Sequence, residues 1–259
     1  MSANLSGKVI VITGASSGVG AELARQLGVQ KHRLVLAARR EQELAEVARQ
    51  SGTETITALT DVTQRHDVER LRDRALAAFG QVDVWINNAG RGITKKVLDL
   101  TDEDVDEILA VNLKSALYGM QAIVPHFQQR GAGHLINISS FLSRVPVATV
   151  RSVYSAAKAA LNSLTANLRM DLRREFPGVH VSLVMPALIT TEFAKNAIGG
   201  PPSGTPPASP MKPQSPEEVA AAIVRLIEHP VPEIYTNPAS PDLVRRYYED
   251  VAAFEAGLP

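Results

Sequence analysis

The sequence predicts an α/β fold in which a doubly wound parallel sheet carries helices on both faces. Two observations support this prediction. Short runs of β-branched and other apolar residues alternate with longer amphipathic stretches along most of the chain. The short runs are almost continuously apolar, which is typical of strands that are buried on both faces. Strand–helix alternation at this spacing favours βαβ units, and therefore one parallel sheet of about seven strands.

Each expected strand is bounded by glycine, by polar residues or by the start of a helix. No repeat of fixed period is visible, so we expect a single domain over residues 1–259. The expected strands are KVIVIT (8–13), RLVLAA (33–38), TITALT (55–60), VDVWIN (82–87), HLINIS (134–139), VHVSLVM (179–185) and a short EIYTNP (233–238).

Two of the expected helices are longer than average, at about 101–129 and 152–176. The first begins with Thr-Asp-Glu-Asp, which supplies an N-cap and acidic residues in the first turn. A later helix begins at Ser215, with proline in the first helical position. A C-terminal helix is expected at about 240–256.

A segment rich in proline and glycine, at about 193–216, separates the sixth strand from the helix at Ser215. Seven of the sixteen prolines lie within NAIGGPPSGTPPASPMKPQSP (196–216). Such a composition resists both helix and strand, so we interpret the segment as a loop that covers a substrate site.

The composition argues against several classes of function. Lys plus Arg and Asp plus Glu both total 27, and this zero net charge argues against nucleic acid as the main partner. The absence of cysteine excludes disulfides, thiolate catalysis and Cys-ligated metals. No two of the six histidines have metal-ligand spacing, so we expect no metal site. We see neither a signal peptide nor an apolar run long enough to cross a bilayer, so we expect a cytoplasmic protein without membrane contact.

Three glycines follow the first strand in TGASSGVG (13–20). Gly14, Gly18 and Gly20 allow a tight turn and the close approach of a ligand, and the helix behind them offers unpaired N–H groups to a phosphate. The spacing differs from the common G-x-G-x-x-G pattern. Its position directly after the first buried strand nevertheless indicates a dinucleotide site.

The second strand ends in LAARRE. A site that prefers NAD usually offers a carboxylate here to the ribose 2′-hydroxyl, whereas this chain has Ala38 followed by Arg39 and Arg40. Guanidinium groups suit a 2′-phosphate, and the alternative is that both arginines only begin a solvated helix. Because cations at a helix N-terminus oppose its dipole, an anionic partner explains them better. We therefore predict NADP(H), with NAD(H) less favoured.

Tyr154 and Lys158 lie four residues apart in RSVYSAAKAALNSL, on one face of an expected helix. A free phenol titrates near ~10 and is a poor acid or base at neutral pH. A nearby cation lowers that pKa. The two side chains are therefore either proton-transfer machinery or a tyrosine packed on a lysine stem.

Together these stretches resemble the short-chain dehydrogenase/reductase family, from about Lys8 to Thr191, and this resemblance implies a Rossmann-like fold. The match depends on the order of seven motifs along the chain. These are TGASSGVG (13–20), Asp61-Val62, NNAG (87–90), Asn112 in VNL, NISS (137–140), Tyr154-Ser-Ala-Ala-Lys158 and PALITT (186–191).

The resemblance implies catalytic roles for four residues. Tyr154 would exchange a proton with the substrate oxygen, and Lys158 would lower the pKa of that phenol and hold the nicotinamide ribose. Ser140 would donate a hydrogen bond to the same oxygen. Asn112 would shape the central helix and link Lys158 to solvent through water.

It also implies the cofactor contacts. Asp61 and Val62 would contact adenine, Asn88 to Gly90 would line the adenosine side, and Ile189 and Thr191 would orient the carboxamide. The full set of expected cofactor residues is Gly14, Ser16, Ser17, Gly18, Val19, Gly20, Arg39, Arg40, Asp61, Val62, Asn88, Ala89, Gly90, Tyr154, Lys158, Pro186, Ile189 and Thr191.

The chain departs from the family pattern at two functional positions. Ser140 precedes Tyr154 by fourteen residues, one more than the commonest spacing, so the loop between them is expected to bulge and Ser139 is the alternative to Ser140. Ala187 replaces the usual glycine after Pro186, which would slightly reposition the nicotinamide end.

The leading hypothesis is an NADP(H)-dependent oxidoreductase that interconverts a small-molecule ketone or aldehyde and an alcohol. A non-catalytic NADP(H)-binding regulator, and an enzyme of dehydration or epimerisation, are the alternatives. We expect a homotetramer or homodimer formed through the two long helices.

Apolar residues after Ser140 and after the sixth strand either line an apolar substrate cleft or pack the core, namely Phe141, Leu142, Val145, Val147, Val150, Leu188 and Phe193. The cations Arg91, Lys95 and Lys96 are interpreted as a solvated edge rather than a site for an acidic substrate.

Overall fold

Seven parallel strands form the centre of the computed structural model, which describes residues 7–190, 193–201 and 211–258. The order across the sheet is β3-β2-β1-β4-β5-β6-β7, so the predicted parallel α/β sheet is confirmed. The strands are β1 (Val9–Thr13), β2 (Arg33–Ala38), β3 (Thr55–Leu59), β4 (Val84–Asn87), β5 (Gly133–Ile138), β6 (Val179–Met185) and β7 (Glu233–Tyr235).

Helices cover both faces of this sheet. They are α1 (Gly18–Val29), α2 (Glu41–Ser51), α3 (Arg65–Phe79), α4 (Asp102–Leu109), α5 (Ser115–Arg130), α6 (Ser152–Leu172), α7 (Pro216–Glu228), α8 (Ser240–Glu249) and α9 (Val251–Ala256). Alternate residues of β1 point to opposite faces, and all five of its side chains are buried. Ile10 and Ile12 pack with α1, α2 and α7, while Val9 and Val11 pack with α3, α5 and α6. This two-sided burial explains the continuously apolar strands.

The first long helix is interrupted, contrary to the sequence prediction. A π-helical turn at Ala110–Lys114 separates α4 from α5. The N-cap of α4 is confirmed, because the Thr101 side chain accepts from the backbone N–H of Asp104 and the Asp104 carboxylate accepts from the N–H of Thr101. The second long helix, α6, ends at Leu172 rather than at about residue 176.

The C-terminal helix expected at 240–256 is divided into α8 and α9. Asp250 lies between them in an extended conformation, and its carboxylate accepts a hydrogen bond from the N–H of Ala253. A residue that caps a new helix in this way cannot continue the preceding one. The helix expected at Ser215 is confirmed, with a reciprocal capping box between Ser215 and Glu218.

The sheet has its topological switch between β1 and β4, which are neighbours although two strands lie between them in the sequence. Ligands of open α/β sheets bind outside the carboxyl ends of the strands at such a switch. Within the described part of the chain, no helix is long and apolar enough to span a bilayer, and no cluster of His, Asp or Glu is arranged to hold a metal ion.

Candidate active site

The glycine-rich loop packs closely against the segment that follows β4. Gly14 has a φ of +66°, and a Cβ placed there would lie 2.8 Å from the Cα of Ala89. A Cβ at Gly20 would lie 2.5 Å from the carbonyl oxygen of Gly14. Ser17, at the N-cap of α1, makes no side-chain cap hydrogen bond, so the first N–H groups of α1 are available to an anion. Ser16, Gly18 and Val19 complete this loop.

Thr13 and Asn88 fix the two segments to each other. The Thr13 hydroxyl accepts from the backbone N–H groups of Asn88 (3.0 Å) and Ala89 (3.2 Å). The Asn88 amide donates to the carbonyl oxygens of Thr13 (2.9 Å) and Gly14 (3.2 Å). The structure therefore brings the predicted residues 14–20 and 88–90 together, and it adds Thr13, which the sequence analysis did not single out.

Arg39 and Arg40 are both exposed at the carboxyl end of β2. The Arg40 guanidinium donates to the hydroxyls of Ser17 (2.6 Å) and Ser16 (3.0 Å), which places its charge over the glycine-rich loop. Ala38, the last residue of β2, has no carboxylate that would compete for these cations. The positive charge thus lies at the position where an adenosine ribose would bind in a fold of this kind.

Asp61 and Val62 follow β3 at the same edge of the sheet. The Asp61 carboxylate accepts hydrogen bonds from the N–H (3.0 Å) and the hydroxyl (2.8 Å) of Thr63, which fixes the turn. Val62 is half-buried against the core on one face of the sheet. Both residues therefore lie at the carboxyl edge of the sheet, next to the end of β2 that precedes Arg39 and Arg40.

Tyr154 is buried on α6 and faces the loop that follows β5. Its ring packs edge-on against Phe193, with ring centroids 5.7 Å apart. Burial raises the pKa of the Tyr154 phenol, while its interaction with the Ser140 hydroxyl and the positive charge of Arg151 lower it. The environment thus favours a neutral phenol that has a proton to give.

Lys158 is buried one turn further along α6, on the same face as Tyr154. Its Nζ lies 5.8 Å from the centre of the Tyr154 ring and donates to the carbonyl oxygen of Ile138 (2.8 Å). Burial lowers the pKa of Lys158 to about 8. The predicted pair does meet, but Ser140 and Arg151 are the groups that lower the pKa of the phenol in this structure.

The two adjacent serines point in different directions. The Ser139 hydroxyl donates to the side-chain oxygen of Asn162 (2.6 Å) and so faces the body of α6. The Ser140 hydroxyl interacts with Tyr154 and also accepts from the N–H of Leu142 (3.2 Å). Between Ser140 and α6 the chain forms a 3-10 turn at Phe141–Ser143, where a bulge was expected.

Asn112 lies in the π-helical turn and is buried. Its amide donates to the carbonyl oxygen of Arg91 (2.9 Å) and its side-chain oxygen accepts from the N–H of Arg91 (3.2 Å). A Cβ at Gly90 would lie 3.0 Å from that side-chain oxygen and 3.7 Å from the Nζ of Lys158. Asn112, Gly90 and Lys158 therefore adjoin one another.

The segment after β6 forms the remaining wall. The Pro186 carbonyl oxygen accepts from the N–H of Phe141 (2.7 Å), which joins the wall to the loop bearing Ser140. Ile189 forms a parallel bridge with Gln214, and Ala187 packs in an apolar cluster. Thr191 lies outside the described residues.

The expected apolar cleft is only partly available to a ligand. Phe141 and Val145 are buried and pack with residues of α8 and α9, so they belong to the core. Leu142 and Phe193 are half-buried beside Tyr154, and Leu188 is exposed.

The cationic edge is largely neutralised. Arg91 forms an ion pair with Glu107, and Lys95 forms one with Asp104 (2.6 Å). Lys96 is exposed. These contacts agree with the interpretation of a solvated edge rather than an acidic-substrate site.

Comparison with known proteins places this geometry in a family. A family model described as short chain dehydrogenase matches residues 8–199. An uncharacterized oxidoreductase of Bacillus subtilis is 37% identical over 239 residues, covering 89% of this chain and 65% of that protein. An uncharacterized oxidoreductase of Staphylococcus aureus (strain MW2) is 34% identical and covers 90% of this chain and 98% of its own length.

Solved structures give the same result. A short-chain dehydrogenase/reductase from Burkholderia phymatum, in complex with NAD, is 30% identical with a TM-score of 0.86, covering 97% of this chain and 96% of that one. A metagenomic short-chain oxidoreductase in complex with NADP is 32% identical with a TM-score of 0.74, covering 90% and 97% of the two chains. The chain therefore belongs to the short-chain dehydrogenase family of oxidoreductases.

Proposed function

We propose that the protein is an NADP(H)-dependent oxidoreductase that interconverts a ketone or aldehyde and the corresponding alcohol. The observation that carries this proposal is the buried Tyr154 phenol, which adjoins Ser140 and Lys158 at the carboxyl edge of the sheet. The glycine-rich loop, which we propose as the nucleotide site, follows β1 at the same edge and packs against Asn88 and Ala89.

The loop around Gly14 suits a dinucleotide. A Cβ at Gly14 or Gly20 would clash with Ala89, Asn88 or the loop itself, so only glycine permits this tight turn, and the uncapped N-terminus of α1 offers N–H groups to a pyrophosphate. When bound, the nicotinamide would supply the hydride. Tyr154 would give a proton to the carbonyl oxygen in reduction and take it back in oxidation. The Ser140 hydroxyl would donate a hydrogen bond to that oxygen as negative charge develops on it.

Tyr154→Phe tests the assignment of the acid. The variant keeps the ring that packs on Phe193 but lacks the proton, so we expect kcat to fall by about 10² to 10⁴-fold while NADPH binding is retained. Turnover is measured by NADPH absorbance with ketones, aldehydes, diketones and quinones. Tyr118→Phe, on the surface of α5 beside Arg65, is the matched control. Undiminished turnover in Tyr154→Phe would refute the assignment.

The preference for NADP(H) is supported by charge. Arg40 is held over the glycine-rich loop by Ser16 and Ser17, and Arg39 is exposed beside it. A 2′-phosphate would give these guanidinium groups a closer anion than Glu43, whose carboxylate lies 3.6 Å from the Arg40 guanidinium.

Arg39→Asp and Arg40→Asp test this preference separately. Each is expected to lower kcat/KM for NADPH by at least tenfold relative to NADH, because a carboxylate repels the 2′-phosphate and accepts from a 2′-hydroxyl. Arg49→Asp, a change at another exposed arginine at the far end of α2, controls for the altered net charge. An unchanged NADPH to NADH ratio in both variants would contradict the proposal.

We also propose that the substrate is apolar next to its carbonyl group. The half-buried Leu142 and Phe193 lie in the same cluster as Tyr154, and the exposed Leu188 follows β6 nearby. The two nearest cations of the edge, Arg91 and Lys95, are already paired with Glu107 and Asp104.

A further inference from the structure

Arg151 lies one helical turn before Tyr154, at the N-cap of α6. Side chains on a helix tilt towards its N-terminus, so the Tyr154 phenol reaches back over the turn that contains Arg151. Lys158 lies one turn after Tyr154. The phenol is therefore placed between two cationic residues along one face of α6.

The Arg151 side chain is held in place by the segment that follows Gly90. Its Nη1 donates to the carbonyl oxygen of Ile93 (2.8 Å) and to the hydroxyl of Thr94 (3.3 Å). A Cβ at Gly92 would lie 2.9 Å from this Nη1 and 2.8 Å from the Phe193 ring, which itself packs on Tyr154. The Arg151 guanidinium and the Phe193 ring thus meet at Gly92, and Phe193 links this point to Tyr154.

The charge of Arg151 is not neutralised by a neighbouring carboxylate. Among the described residues, no Asp or Glu forms an ion pair with Arg151, in contrast to its neighbours Arg91 and Lys95. Burial lowers the pKa of Arg151, and the charge of Tyr154 raises it. The effect is reciprocal, because Arg151 is a charged group that lowers the pKa of Tyr154. The other charged groups around this face are Lys158 on α6 itself and the ion pairs Arg91–Glu107 and Lys95–Asp104, whose carboxylates lie on α4.

We propose that Arg151 is a positioning residue that stabilises the phenolate form of Tyr154. The proposal rests on the proposed function, in which Tyr154 loses its proton to the carbonyl oxygen as hydride reaches the carbonyl carbon. The phenolate is the form left behind in that step, and it is the form that accepts the alcohol proton in oxidation. In this role Arg151 would act on the reaction through the charge that it holds beside the phenol.

An arginine supplies something here that Lys158 does not. Burial lowers the pKa of Lys158 to about 8, so in the free protein its charge is lost at mildly alkaline pH. An arginine stays protonated over the whole range in which enzymes work. Arg151 would therefore keep a cation beside Tyr154 under the alkaline conditions that favour alcohol oxidation.

A tyrosinate titration tests the proposal without any substrate. Ultraviolet absorbance is followed against pH, and the Tyr154→Phe trace is subtracted from each protein so that the difference reports Tyr154. We expect Arg151→Gln to raise the pKa of Tyr154 by about one unit, the low end of what a neighbouring charge provides. Arg151→Lys should stay near the wild-type value. Thr94→Val removes a hydrogen-bond partner of Arg151 but no charge, so it should also stay near wild type.

An unchanged pKa of Tyr154 in Arg151→Gln would overturn the proposal. An equal rise of that pKa in Thr94→Val would also overturn it, because the effect would then be structural and not due to the charge. Circular dichroism shows whether Arg151→Gln is folded. If it is not, Arg151→Met is titrated in its place. Once a carbonyl substrate is known, kcat is measured against pH. The pKa of the alkaline limb of that profile should rise in Arg151→Gln by as much as the pKa of Tyr154 does in the titration. Turnover retained by Tyr154→Phe would instead refute the proposed function, and the two failures are thereby distinguished.

Discussion

The difference between Ser139 and Ser140 shows how single residues decide the chemistry of this site. Both follow β5 and both are buried, so burial does not distinguish them. Successive side chains of an extended segment point to opposite sides, which sends one hydroxyl into α6 and the other towards Tyr154. Ser139 is bonded to Asn162, whereas Ser140 interacts with the phenol.

Alanine substitutions at these two serines should therefore have opposite consequences. Ser140→Ala removes the hydroxyl that we propose as a donor to the substrate oxygen, and we expect kcat to fall by about 10²-fold with little change in stability. Ser139→Ala leaves the buried side-chain oxygen of Asn162 without its donor, so the free energy of unfolding should fall by roughly 1–3 kcal/mol while kcat changes much less. Steady-state kinetics and urea unfolding of both variants measure this, and a larger loss of kcat in Ser139→Ala would reverse the assignment.

At the residue scale, the sequence predicted those contacts that depend only on spacing within a single helix or strand. Tyr154 and Lys158 meet because they share a helix face. Arg151 was missed, although it stands in the same stretch of sequence. Its anchoring to Ile93 joins residues 58 positions apart, and such a contact depends on tertiary structure that spacing does not reveal.

At the scale of elements, the segment 92–95 joins two parts of the site. The N–H of Lys95 donates to the carbonyl oxygen of Val150 (2.9 Å), just before α6 begins. The segment 193–201 is held by hydrogen bonds from the N–H of Ile198 to the Gly92 oxygen (3.0 Å) and from the N–H of Thr94 to the Ile198 oxygen (2.8 Å). The position of Phe193 over Tyr154 thus depends on a short stretch far from both in sequence.

Gly92→Ala should disturb this junction. The added Cβ would lie 2.8 Å from the Phe193 ring and 2.9 Å from Arg151, so both side chains must shift. Because displacements of about 1 Å near reacting groups can cost ~10²-fold in rate, we expect a loss of kcat of that order with the fold preserved. Gly257→Ala, where a Cβ meets only ordinary contacts, is the control for the kinetic and circular dichroism measurements. Wild-type kcat in Gly92→Ala would show that the junction tolerates such a shift.

The sequence predicted the elements well because their signals are local. Apolar runs gave the strands, and Thr101 and Ser215 marked helix starts through their caps. The π-helical turn was not predicted, since it accompanies hydrogen bonds between Asn112 and the backbone of Arg91, 21 residues away. The break at Asp250 was missed because an aspartate inside a helical pattern looks like any exposed polar residue until it caps a new helix.

At the scale of the whole molecule, the central sheet buries a histidine whose protonation opposes folding. His134 of β5 bonds through Nε2 to the Ser182 hydroxyl of β6 (2.8 Å). That hydroxyl donates its own proton to the carbonyl oxygen of Val231, so the histidine is the donor. The other ring nitrogen, Nδ1, is buried without a partner. Burial, followed by the charges of His180 and Lys8, lowers the pKa of His134 to about 3.

This histidine should make the protein sensitive to acid. The unfolded chain takes up the His134 proton below pH ~6.5, whereas the folded chain does so only near pH 3, so stability falls as the pH falls between those values. From pH 7.5 to 5.0 this one group should remove about 2 kcal/mol from the free energy of unfolding. His134→Gln should lose less stability than the wild type over that interval, whatever its stability at pH 7.5.

Urea unfolding at pH 7.5 and pH 5.0 gives the free energy of unfolding of each protein at the two pH values. The loss between the two values is compared among proteins, not the stability at either one. The variant should keep part of the acid sensitivity, because burial also lowers the pKa of His32 and of His126. His66→Gln, at an exposed histidine at the start of α3, is the matched substitution on the surface. Equal losses in His134→Gln and the wild type would mean that acid weakens the fold elsewhere than in the centre of its sheet.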